Sequence, residues 1–384
     1  MNAATAHLSE VYPTLPFEPV TGEGVYLVDS QQRRVLDLYG GHAVASLGYA
    51  HPRLTEALLT QAQQLMFQSN AVTMRVRDEA ADKLAAFAPE GLDRVFFVNS
   101  GAEANENALR LALKTTGRNK IVAIEHSFHG RSAAAGAVTW GARERWYGFP
   151  NTPMDVTFVP RNDEAALAAA VDEDTAGVII EPVQGVAGAF DFSKAFLTAA
   201  RAACDARGAL LILDEVQTGV GRLGTPFGAD YFDVTPDLMT TAKALGGGFP
   251  CGALLMRNDL AKDLGPGALG TTFGGGPLAC AVIIAVLDTI EEEGLLAQVT
   301  EVSALTRETC VRGPVTGIQG AGFLLGLKTT PRAASIRDAL LDKDILAGTS
   351  ADPHVLRLLP ALILQPTHVA SLAQALEELN DESL

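Results

Sequence analysis

Asp214 ends a run of four apolar residues, Leu210–Leu213, and Lys243 follows it by 29 positions, between small residues and the triplet Gly246-Gly247-Gly248. Such a run suits a strand buried on both faces, and a carboxylate at a strand end in an α/β sheet faces the crevice where these folds bind ligands. A lysine amine beside yielding backbone can bond to the aldehyde of pyridoxal 5'-phosphate (PLP), while the carboxylate pairs with the protonated ring nitrogen. Singly, each residue has a plainer use: strand-end aspartates cap and turn, and loop lysines are commonly solvated. The order and setting of the two together point to the cofactor.

Two further strand ends add to it. Val95–Val98 runs into Asn99-Ser100-Gly101-Ala102-Glu103, where a helix starts. A helix N-terminus with a glycine turn can hold a phosphate, although Ser100 and Glu103 also read as a plain capping box. Ile121–Ile124 runs into His126-Ser127-Phe128-His129-Gly130-Arg131, where an aromatic ring can stack on a flat ligand and an arginine can grip a carboxylate. His42, His51, His126 and His129 read as positional, because no residue stands at a metal-ligand spacing from them. No metal site is expected.

The elements that must position these groups alternate strand and helix from residue 79 to Leu213, which implies a mostly parallel sheet covered on both faces. Before it, Val25–Val28 and Val35–Leu38 read as a hairpin. After Pro277 come a long helix and a smaller α+β region, giving expected segments 1–41, 42–292 and 293–384, the first and last forming one small domain. The net charge of −16 over 384 residues argues against nucleic acid or an anionic membrane as partner. No apolar run reaches a membrane-span length, no signal peptide is read at the start, and four scattered cysteines suit a reduced cytoplasmic setting.

VNSGAEANENAL, FHGR, LDEVQTGVGR, TTAKALGGGFP and GTTFGGGPLA, in one order over most of the chain, resemble the class III (subgroup II) PLP-dependent aminotransferases, most closely the acetylornithine aminotransferase branch. The resemblance implies an α/β PLP-dependent transferase of fold type I acting as a homodimer with shared active sites. It makes Lys243 the cofactor-bonding lysine and Asp214 the partner of the ring nitrogen. Ser100, Gly101 and Ala102 become the phosphate turn, Phe128 the ring cover, and Gln217, with Glu215 and Val216 beside it, the contact to the phenolic oxygen. Thr272 matches a threonine that reaches the neighbouring subunit's phosphate. Tyr12, Arg131, Thr271 and Arg357 match substrate contacts. The implied reaction moves the terminal amine of N2-acetylornithine to 2-oxoglutarate by a ping-pong route in arginine biosynthesis. Ornithine, succinylornithine or lysine-pathway transamination, an α-amino-acid-preferring transaminase, and an aminomutase or racemase on the same fold are its rivals.

The chain departs from that pattern where relatives read EPxQGE. Here Glu181-Pro182-Val183-Gln184-Gly185 is followed by Val186, so the glutamate implied to pair with Arg357 is missing. Gly276 replaces a common asparagine, and Gly41-His42-Ala43-Val44 at the entrance is similar to the acetylornithine branch.

Overall fold

A computed structural model describes residues 7–379; residues 1–6 and 380–384, the outer ends of the first and last expected segments, lie outside the described residues. The strands in chain order are β1 Pro19–Glu23, β2 Tyr26–Asp29, β3 Arg34–Asp37, β4 Arg94–Val98, β5 Lys120–Ile124, β6 Asp155–Val159, β7 Thr175–Ile180, β8 Val183–Gln184 and β9 Phe190–Asp191. They continue with β10 Leu210–Asp214, β11 Leu238–Thr241, β12 Gly252–Met256, β13 Val315–Ala321, β14 Leu324–Thr329, β15 Ile345–Leu346, β16 Gly348–Thr349 and β17 Val355–Leu358.

The central sheet has seven strands in the order β4-β12-β11-β10-β7-β5-β6. Only β12 runs antiparallel to its neighbours; the other pairs are parallel. Strands β7 and β10 are buried along their whole length. Along β10, Leu211 and Leu213 enter one apolar core while Leu210 and Ile212 enter a second on the opposite face, the two-residue alternation of a strand covered on both sides. Helices Gly101–Thr116 and Lys194–Arg207 start on Ser100 and Ser193, whose hydroxyls accept from backbone N–H groups three residues on. Gly208 stops the second helix at a left-handed φ of 62°.

The sequence reading lacks β6, β11 and β12. Each is short and abuts glycine- or proline-rich chain, and it is pairing inside the sheet that stabilises them. Helix Arg75–Phe87 begins earlier than the expected 79.

Among the described residues, the two-stranded pair β8-β9 and two four-stranded sheets complete the fold. One, β13-β14-β17-β16, comes from the last part of the chain. The other, β1-β2-β3-β15, joins the expected hairpin to Ile345-Leu346, which pairs in parallel with β3.

Candidate active site

A cavity of about 450 Å³ opens beyond the carboxyl ends of the central strands and is lined by Ser100, Gly101, Ala102, Phe128, Arg131, Glu181, Val186, Asp214, Val216, Gln217 and Lys243, among others. Lys243 stands at its floor with φ +46°, a left-handed conformation that costs a β-carbon residue about 1–3 kcal/mol and persists where the surroundings impose it. The Ser46 hydroxyl donates to Ala244 O (2.8 Å), bracing that turn. Enclosure by protein pushes the pKa of the Lys243 amine down, against the opposing pull of Asp214 and Glu181.

Asp214 is fixed from three sides. Asn105 Nδ2 donates to Oδ2 at 2.7 Å, His129 Nδ1 stands 2.7 Å from the same oxygen, and the Val216 N–H donates to Oδ1 at 3.1 Å. Asn105 is held in turn by the Thr240 hydroxyl, at 2.7 Å. His129, read from sequence as positional, therefore positions the central carboxylate. Glu181, which sequence reasoning left out of the site, directly follows β7, as Asp214 closes β10, and lines the same cavity; the strand-end acid signal used for Asp214 would have found it. It accepts from the Phe128 N–H (2.9 Å) and the Gly185 N–H (3.3 Å). Burial raises its pKa, with His129 opposing.

Not every expected residue reaches the cleft. Glu215 is turned behind it: its carboxylate accepts from Gly228 N (2.8 Å), Ala229 N (2.6 Å) and the Thr218 hydroxyl, so it braces the following loop. Burial pushes it up to about 7 against those bonds. Tyr12 is 78% exposed and outside the lining. Thr271 bonds Asn99 Nδ2 (3.3 Å) and Gly274 N (3.1 Å), while Thr272 faces outward; in a single chain neither lines the cavity. Arg131 does, lying 4.6 Å over the Trp146 ring and bordering an adjoining cavity of about 620 Å³ that also holds Arg143 and Arg145.

Arg357 lies on β17, 4% exposed. Its Nε donates to Thr349 O (2.7 Å), Nη1 to Gly185 O (3.1 Å) and Nη2 to the Tyr39 hydroxyl (3.0 Å). Among the described residues no carboxylate lies within salt-bridge distance of it. Tyr39 precedes a turn in which Gly40, Gly41, His42 and Ala43 all have φ between 56° and 68°. Asp37 Oδ1 fixes its start by accepting from Tyr39 N (2.7 Å) and Gly40 N (2.9 Å). Gly40 and Gly41 adopt such angles freely; His42 and Ala43 carry real strain, about 1–2 kcal/mol each.

The lining fits PLP. Helix Gly101–Thr116 presents N–H groups of Gly101 and Ala102 that have no intrahelical acceptor, and a Cβ on Gly101 would press to 2.7 Å from Val216, so the turn stays tight only as glycine. Gln217 Oε1 and His129 Nε2, on two residues of this lining, are buried without partners, spare polar capacity of the kind a bound polar ring satisfies.

The model of the family described as aminotransferase class-III matches residues 9–379. The chain is a class III aminotransferase. It is 45% identical to the acetylornithine aminotransferase of Streptomyces coelicolor over 97% of this chain and 92% of that one. The acetylornithine aminotransferase of Methanosarcina acetivorans is 38% identical, over 97% and 94%. Among solved structures, the acetylornithine aminotransferase of Elizabethkingia anophelis superposes with a TM-score of 0.87 at 30% identity, covering 97% of this chain and 96% of its own. The ornithine aminotransferase of Toxoplasma gondii gives 0.92 at 26% identity, over 98% and 93%. This aminotransferase is thus a PLP-dependent enzyme that takes an amino donor and a keto acid.

Proposed function

We propose that the enzyme transfers the terminal amine of N2-acetylornithine, or a close relative, to 2-oxoglutarate. The observation that carries this reading is the pair of arginines about one lysine: Arg131 lines the cavity beside a second, arginine-rich cavity, and Arg357, just outside the lining, bonds the carbonyl of Gly185, whose neighbour Val186 lines it. One arginine suits the distal carboxylate of a terminal-amine donor, the other the carboxylate beside the reacting amine of glutamate. The names of the relatives support the same donor.

In this reading Ser100, Gly101 and Ala102 hold the cofactor phosphate, Phe128 and Val216 enclose the ring, Gln217 meets its phenolic oxygen and Asp214 its ring nitrogen. PLP, when bound, supplies the electron sink that lets the amine-bearing carbon lose a proton. Lys243, enclosed and with its pKa lowered, moves that proton. Asp214 keeps its negative charge oriented by Asn105 and His129, and Glu181 holds Phe128 through its backbone. A keto acid then takes the amine in a second half-reaction, so kinetics are ping-pong. Tyr12, Thr271 and Thr272 complete the site in a homodimer, Thr272 at the neighbouring subunit's phosphate. The exposed Met66, Phe67 and Phe273 (66%, 40% and 64%) beside that loop support a covered surface there. The division 1–41, 42–292 and 293–384 belongs to the same proposal, supported by the pairing of β15 with β3.

A donor panel with the PLP-loaded enzyme and 2-oxoglutarate tests it. N2-acetylornithine should exceed α-amino acids in kcat/KM by roughly tenfold or more, about 1.4 kcal/mol of discrimination. Reaction with α-amino acids alone would overturn the donor, and the open charge of Arg357 would then favour that second reading. Sedimentation should give a dimer; an active monomer would contradict the shared site.

A further inference from the structure

Arg357 is seated in a place built to leave its charge uncancelled. In the sheet it faces Gly326 on β14 and Gly348 on β16, so neither neighbouring strand sets a side chain beside it. The vacant volume over Gly348 belongs to Tyr39: a Cβ at that glycine would fall inside the Tyr39 ring. The ring centroid lies 5.6 Å from the Arg357 Cζ, and the tyrosine hydroxyl accepts from Nη2 at 3.0 Å. Since that oxygen accepts, its own proton goes to His42 Nδ1, 2.7 Å away, which fixes the histidine proton on Nε2. The left-handed turn folds His42 back over Tyr39, ring centroids 4.7 Å apart, and Arg222 Nη2 donates to Ala43 O at 3.4 Å to hold the turn. Partial desolvation of the ring, which stays open to solvent on one side, and the charges of Arg357 and Lys243 lower the His42 pKa to about 4, so the acceptor stays neutral.

A guanidinium has five N–H donors. Three go to Thr349 O, Gly185 O and Tyr39 Oη, which leaves one on each Nη. Two such donors on adjacent nitrogens form the fork that a carboxylate takes through both oxygens. A carboxylate at position 186 would compete for this fork and neutralise it; Val186 cannot.

We propose that Tyr39, oriented by His42 and seated on Gly348, is a positioning residue for the half-reaction of substrates with a carboxylate beside the reacting amine: it anchors Arg357 through a neutral oxygen and leaves both the charge and the fork for the substrate. This rests on Arg357 receiving the glutamate carboxylate, as in the function proposed above.

The test uses the PLP-loaded enzyme and its Tyr39→Phe, Gly348→Ala, His42→Leu and His42→Asn variants. Single-turnover absorbance follows the glutamate and terminal-amine half-reactions separately, and calorimetry measures binding of glutarate, which carries no amine. Tyr39→Phe should raise the half-saturation for glutamate and the Kd for glutarate about tenfold, as for the loss of a hydrogen bond to a charged group. The loss should lie in saturation rather than in limiting rate, and exceed that in the terminal-amine half-reaction about fivefold or more. Gly348→Ala, which alters neither partner chemically, should act in the same direction. His42→Asn, which keeps an acceptor and tolerates the left-handed turn, should recover most of what His42→Leu loses. Unchanged glutamate saturation in Tyr39→Phe, or equal loss in both half-reactions, overturns the proposal. If the unmutated enzyme leaves glutamate unreacted, the donor reading fails by itself. Glutarate affinity still decides the anchor: a tenfold loss in Tyr39→Phe supports it, and none overturns it.

Discussion

At the floor of the cleft Asp214 is held by Asn105 on helix Gly101–Thr116, by His129 in the loop after β5 and by the Val216 N–H just beyond β10. At the far wall Arg357 is held by Tyr39, Gly185 and Thr349, neutral oxygens from three distant parts of the chain. The first arrangement fixes a charge that must stay in one place through the whole cycle, and it surrounds that charge with donors. The second satisfies a buried cation without cancelling it, because a buried charge needs partners, yet a carboxylate partner would consume the binding capacity proposed for the substrate. The two ends therefore differ in what they keep in reserve.

Breaking the floor should cost most. Lys243→Ala should lower kcat by roughly 10⁴-fold or more, since it removes the group proposed to move the proton; steady-state assay checks it, and activity within tenfold of the unmutated enzyme would assign the proton to another group. Asp214→Asn keeps the shape while removing the charge, and should cost roughly 10²–10³-fold in kcat, comparable to loss of one preorganised electrostatic contact. Substitution at the wall should act on saturation instead. Arg357→Lys keeps a cation but loses the planar fork, and should raise glutamate KM roughly 30-fold, about 2 kcal/mol, with a smaller change in kcat. Val186→Glu should weaken glutamate about three- to tenfold by occupying the fork, and so turn the wall into the kind of compensated charge found at the floor. The smallest effect concerns pH. A histidine whose folded pKa lies near 4 is protonated first in the unfolded chain, so the fold loses stability as pH falls from about 6.5 toward 4. Thermal melts across that range should show a shallower loss for His42→Asn.

Much of the floor was legible in the sequence because its groups stand at strand ends and helix starts: an apolar run followed by an acid, or a serine and glycine opening a helix. Glu181 carries the same signature and was passed over. Short strands such as Leu238–Thr241 and Gly252–Met256 were hidden by their glycine-rich surroundings. The wall was scarcely legible. Arg357 was reached only through resemblance, and its bond to Tyr39 joins residues 318 positions apart, which no local spacing encodes. The loss of glutamate at position 186 was visible, but what answers it is a tyrosine whose seat depends on Gly348 in another strand. Glu215 stands next to Asp214 in sequence, but just past the strand end its carboxylate is taken by Gly228 N, Ala229 N and the Thr218 hydroxyl, which no local spacing reveals.

The most direct test of the central claim is the visible absorption spectrum of the PLP-loaded enzyme, recorded before and after glutamate and again after 2-oxoglutarate. The yellow colour should bleach with glutamate and return with 2-oxoglutarate, and Lys243→Ala should not complete that cycle. Colour that no donor bleaches would contradict the transaminase half-reaction, and a protein that takes up no PLP would contradict the assignment of Lys243 and Asp214 to the cofactor.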